Sequence, residues 1–130
     1  ETPFELAQAF AHGISGVVAK LPWLPALWVR EVLCEGGALR EFVFREVMPS
    51  LPQVLAQRFE AAHAAGQLPP GVDPRLLVVS LVGLTLFPAA GAPIWQKAFG
   101  MPGMDMPTLV SHTLALLAHG LAAPIQETPR

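Results

Sequence analysis

The chain has 130 residues, enough for one domain with a single hydrophobic core. Hydrophobic residues make up 52% and charged residues 14%, and the formal net charge of −2 provides no basic field to drive counterion release on nucleic acid. The single cysteine, Cys34, excludes an internal disulfide and a four-thiolate zinc site, and the lack of any Asn excludes N-glycosylation.

The opening ETPFELAQAF is acidic, without the basic-then-apolar order of a signal peptide, so a cytoplasmic location is expected. It has no initiator Met, which suggests a piece of a longer protein. Apolar periodicity predicts a first helix over about Pro3 to Lys20, with Leu6, Phe10, Ile14, Val17 and Leu21 in one stripe. After a break at Leu21-Pro22, a second helix is expected from about Pro25 to Glu35, ended by Gly36-Gly37. A third covers about Leu39 to Val47, where Glu41 and Arg45 have the spacing of an i,i+4 ion pair.

Ser50 is the expected cap of a fourth helix, about Leu51 to Ala65, with Leu51, Val54, Leu55, Phe59 and Ala62 inward. Gly66 suits the left-handed position after it, and Leu68 can pack back onto the helix. Asp73-Pro74 opens a fifth helix to Phe87, broken at Pro88; a looser stretch to Pro102 holds a short turn at Ile94 to Phe99. The sixth runs from Asp105 to Leu121, and residues 124–130 read as a frayed tail behind a domain spanning 1–123.

The fifth and sixth helices are apolar on more sides than one small core can use. A surface helix normally keeps one polar face. Residues Leu76 to Trp95 carry no charge, about the length of a membrane span. Yet Pro88, Gly91 and Pro93 interrupt the stretch, and flanking basic clusters and aromatic belts are missing, so no membrane insertion is expected. On the sixth helix Val110, Leu114, Leu117 and Leu121 form one stripe, and Leu109, Thr113, Leu116 and Gly120 another. On the fifth, Leu77, Ser80, Leu81 and Leu84 mark a second stripe, with Ser80 and Gly83 small enough for close approach. One stripe can face the core and the other a second copy, two-fold contact being the commonest way to bury such faces.

Chemistry-bearing patterns are sparse. The chain has no H-E-x-x-H, P-loop, G-x-S-x-G or G-x-G-x-x-G, and Gly13-Ile14-Ser15-Gly16 sits inside a helical pattern rather than after a strand. No enzymatic activity, metal or cofactor is expected. His112 and His119, seven residues apart, are too distant for one ion and read as half-buried residues at a packing seam, while His12 and His63 read as solvated. Cys34 lies among Glu31 and Glu35 and reads as a structural thiol. Bulky adaptable side chains are more suggestive, because ligand sites are mostly apolar and aromatic. Phe10, Trp23, Trp28, Phe42, Met48, Phe59, Phe87, Trp95 and Met101 are the candidate lining of a site for a small hydrophobic ligand.

The order of these features resembles the C-terminal regulatory half of TetR-family (tetracycline-repressor-like) transcriptional regulators. The matching residues run from Trp28-Val29-Arg30-Glu31 to Gly37, through Phe44 to Pro49, and over the helix ending Ala65-Gly66-Gln67-Leu68. They continue with Asp73-Pro74 and its apolar helix, and close on Leu116-Leu117-Ala118-His119-Gly120-Leu121. The family's N-terminal helix-turn-helix is absent from this chain. The resemblance implies an all-α, antiparallel bundle of about six helices that forms a homodimer through its last two long helices. It implies a cavity for a small effector within the other helices, and control of DNA bound only through the missing N-terminal part. The expected dimer residues are Leu77, Ser80, Leu81, Leu84, Leu109, His112, Thr113, Leu116 and Gly120. The alternatives are a helical protein-interaction module without a ligand, and a small membrane-associated helical protein.

Overall fold

The computed structural model describes residues 2–47 and 49–121, and among these every regular element is a helix. Helix α1, Pro3–Lys20, starts where the sequence predicts. Its start is a reciprocal cap: the Glu5 N–H donates to Thr2 Oγ1 at 3.1 Å and the Thr2 N–H to Glu5 Oε1 at 2.9 Å. The buried line is Pro3, Ala7, Ala11 and Val18, one position round from the expected stripe. Leu6, Phe10 and Ile14 are only half-buried, and Val17 and Leu21 are exposed. Alanine at the contact line lets neighbouring helices approach closely, and the larger side chains overhang the seam.

Helix α2 begins as Leu24–Trp28 and widens into a π turn, Val29–Leu33, closed by the Cys34 N–H on the Val29 carbonyl at 3.0 Å. Helix α3 likewise passes from Arg40–Phe42 into a π turn, Val43–Val47. The Arg40 guanidinium joins the two, Nε donating to the Val32 carbonyl at 2.9 Å and Nη2 to that of Leu33 at 2.8 Å. It thereby satisfies carbonyls that the end of α2 leaves without helical partners. Glu41 and Arg45 do not form the expected ion pair.

Helix α4, Leu51–Ala64, buries Leu55, Phe59 and Ala62 as expected, but Leu51 and Val54 are exposed. Ser50 stands at the N-cap without a side-chain cap bond. The other end closes as predicted. Gly66 adopts φ 75°, its N–H reaches the His63 carbonyl, and the Gln67 N–H reaches that of Ala62 at 2.8 Å. Leu68 is buried behind this turn.

Helix α5, Pro74–Ala90, is capped by Asp73, whose carboxylate accepts from the Arg75 N–H at 2.8 Å and the Leu76 N–H at 3.4 Å. The expected break at Pro88 does not occur there: the helix continues through it to Ala90. Pro88 removes one i→i−4 hydrogen bond, and the helix ends two residues further on. Helix α6, Ala92–Ala98, replaces the looser turn expected at Ile94 to Phe99. Helix α7, Met106–Gly120, is capped by Asp105, which accepts from the Thr108 N–H at 2.9 Å.

Helix α5 lies at the centre and packs against α1, α2, α4, α6 and α7, while α1 also packs on α7. The core joins Ala7, Leu55, Phe59, Ala62, Leu68, Leu77, Leu81, Leu117 and Leu121. Thr85 is buried in it without penalty, since its hydroxyl donates to the Leu81 carbonyl at 2.7 Å. Among the described residues no single helix is long and apolar enough to cross a membrane. Only α5 and α6 taken together reach the length and composition, and they bend by 73° at the join.

Candidate ligand groove and self-association face

The uncharged length of α5 needs cover on every side, and the fold covers only part of it. Leu77, Leu81 and Thr85 face the chain's own core. Leu76, Val79 and Phe87 point outward, 62%, 64% and 67% exposed, with Ser80 and Gly83 on the same side. At helical spacing these positions form one line along α5. On α7 the buried line is Val110, Thr113, Leu117 and Leu121, with Leu114 packed against the core beside it. Leu116 is 54% exposed, and His112, Ala115, His119 and Gly120 are exposed around it.

Three of the residues expected at a dimer seam are therefore corrected. Leu77, Leu81 and Thr113 are 6%, 0% and 3% exposed, already used by the protomer's interior. The reason is rotational: with no polar face on α5, the sequence leaves open which apolar line turns inward. Contacts with α1, α4 and α7 select the Leu77–Leu81–Thr85 line. Leu84 and Leu109 are half-buried, and Ser80, His112, Leu116 and Gly120 remain on the surface. His112 and His119 are both exposed rather than half-buried, and Cys34, read as a structural thiol, is a free thiol on the surface.

The nominated ligand residues do not converge on one interior cavity. Phe59 is fully buried in the core, and Phe10 is half-buried against it. Trp23 in the turn before α2, Phe42 on α3 and Phe87 on α5 are more than half exposed, and Trp28 is half-buried on α2. Met48 lies outside the described residues. The cleft between α1, α5 and α7, lined by Ala11, Ser15, Leu84, Thr85, Met106, Leu109, Val110 and Thr113, offers only about 10 Å³. That is the space of a single water molecule at most.

Trp95 and Met101 do come together, at the surface. With Met104, Thr108, Leu109 and His112 they line a mostly apolar groove of about 410 Å³ between α6 and α7. Its walls are tied in place. The Trp95 indole N–H donates to the Pro88 carbonyl at 2.8 Å, and Gln96 Nε2 donates to the Met104 carbonyl at 3.2 Å. Gly100 and Gly103, at φ 62° and 75°, supply the left-handed turns that fold the connecting loop. Sequence reading nominated Trp95 and Met101 for a ligand, and Leu109 and His112 for a dimer. Met104 belongs to the same bulky, adaptable apolar surface as Trp95 and Met101, and Thr108 carried no signal at all. Their convergence depends on a loop whose path no periodicity encodes.

The carboxylates near these elements act as helix caps. Hydrogen bonds from the Arg75 side chain and N–H lower the Asp73 carboxyl below its ordinary range, and those from Thr108 do the same for Asp105. Among the described residues no group of three or more His, Cys, Asp or Glu side chains is arranged to hold a metal ion. Compared with known proteins, the chain matches no family model and no curated sequence.

Proposed function

We propose that this chain is the effector-sensing and dimerisation domain of a TetR-like transcriptional regulator, a repressor whose DNA-binding part is a helix-turn-helix outside this sequence. The observation that carries it is the outward line Leu76, Val79 and Phe87 on α5, each more than 60% exposed. From Leu76 to Gln96 the sequence has no Asp, Glu, Lys or Arg. A two-fold contact sets a patch against its own copy, which repels if the patch is charged and is self-compatible if it is apolar. Exposed apolar side chains in such a line mark an interaction surface. The resemblance in the order and caps of the last helices supplies the kind of protein. Effector control would then be a shift between DNA-competent and incompetent dimers, driven by the effector's different affinity for each.

Sedimentation equilibrium of the chain tests this directly. A dimer is expected, with Leu116→Glu giving a monomer of unchanged helical circular dichroism, because Leu116 is exposed in the protomer. A wild-type chain that stays monomeric at every concentration rules the proposal out.

The filled cleft between α1, α5 and α7 favours a second reading, a helical interaction module that needs no effector. A ligand that binds in the α6–α7 groove and alters self-association decides between the two.

A further inference from the structure

We propose that the groove between α6 and α7 binds a neutral aromatic molecule bearing one hydroxyl group, and that its occupancy tightens self-association through Leu109 and His112. The coupling rests on the dimer reading above; the site does not. The groove's volume of about 410 Å³ falls within the range of small-molecule sites. Its walls are set before any ligand arrives, by the Trp95–Pro88 and Gln96–Met104 hydrogen bonds and by the Met101 N–H on the Gln96 carbonyl at 2.8 Å. Such preorganisation lowers the ordering cost of binding.

The lining specifies the chemistry. The Trp95 N–H is already spent on Pro88, so the indole offers its ring to a ligand rather than its donor. Met101 and Met104 bring thioethers to the same space, and sulfur and indole both favour contact with another aromatic ring. The polar lining groups are His112, whose side chain makes no hydrogen bond or ion pair among the described residues, and Thr108. A single hydroxyl on the ligand can hydrogen-bond with the imidazole or donate to the Thr108 hydroxyl oxygen, whose proton is turned toward Asp105. No wall residue is an Asp, Glu, Lys or Arg. Asp105 lines the adjoining depression and is engaged by the Thr108 N–H. A permanently charged ligand would find no fixed counter-charge.

Leu109 and His112 are shared. They line the groove, and they stand two turns and one turn before the exposed Leu116 on α7. A ligand that fixes these side chains prepares the surface a second copy would meet, and by linkage each binding event strengthens the other.

The test uses the 130-residue chain labelled with 5-fluorotryptophan, whose Trp23, Trp28 and Trp95 give three fluorine resonances, with 4-propylphenol as the probe. The Trp95 resonance is expected to move saturably while the other two stay. Thr108→Phe, which fills the groove from an exposed position, is expected to weaken the response by about tenfold or more. Met104→Phe provides a second filling variant should the first misfold. No shift, equal shifts at all three tryptophans, or undiminished binding by the folded filled variants overturns the site. Sedimentation at saturating probe is expected to show self-association tightened by about fivefold or more. An unchanged or weakened association overturns the coupling and leaves the site standing. A chain that is monomeric throughout, with the Trp95 response intact, removes the dimer reading and the coupling together but supports the site.

Discussion

The Trp95 indole N–H donates to the Pro88 carbonyl, 2.8 Å away and seven residues back along the chain. The bond spans the join where α6 turns 73° away from α5, and it holds α6 beside the last turn of the longer helix. Trp95→Phe keeps an aromatic ring in place and removes the donor, leaving the Pro88 carbonyl without this partner. The expected loss is about 0.5–1.5 kcal/mol, read as a lower urea midpoint with the same m-value. An unchanged midpoint would show that the bend is held by packing alone.

Three helices begin on acidic caps, and this makes stability fall in acid. Glu5 is lowered by its bonds with the Thr2 N–H and hydroxyl, Asp73 by Arg75, and Asp105 by Thr108. A carboxyl depressed in the folded state stabilises the fold above its unfolded value, about 4, and loses that contribution as pH drops through the depressed value. Thermal melts from pH 7 down to pH 2 are expected to decline below about pH 4. Asn also caps helices but does not titrate in this range, so Asp73→Asn with Asp105→Asn should flatten the decline. Parallel melting curves for the two proteins would remove these caps as its cause.

Gly83 separates the protomer's needs from those of self-association. A Cβ built there meets nothing within 4 Å, and the residue shares the exposed side of α5 with Leu76, Val79 and Phe87. Within one protomer Gly83→Leu should raise stability by up to about 1 kcal/mol, because leucine is the better helix former. Across a two-fold contact the same side chain would hold two backbones apart. The expected pattern is a higher melting temperature for dilute monomer together with a weaker association constant. If association is unaffected, α5 does not approach its copy at Gly83.

Much of the helix order was legible because caps are local chemistry. Asp73-Pro74 and the Gly66 turn lie where short-range rules place them, and the structure adds their hydrogen bonds at Arg75 and Ala62. Pro88 was misjudged by two residues: the helix runs on only through Ala89 and Ala90 before Gly91 ends it. The π turns in α2 and α3 gave no signal, since i→i+5 winding leaves no distinct apolar period in so short a segment. At the candidate site, Trp95 and Met101 were legible as adaptable apolar surface, whereas their meeting with Leu109 and His112 was not.

By itself, then, the sequence determined an all-helical chain, the Asp73 cap and the Gly66 turn, and an excess of apolar surface on α5 and α7. Each of these follows from neighbouring residues or from composition. Which apolar line turned inward was decided only by the tertiary structure. A helix with a polar face has its orientation settled by hydration, but α5 has none, so the shape of α1, α4 and α7 against Leu77, Leu81 and Thr85 set its rotation. Leu76, Val79 and Phe87 were left outside as the consequence.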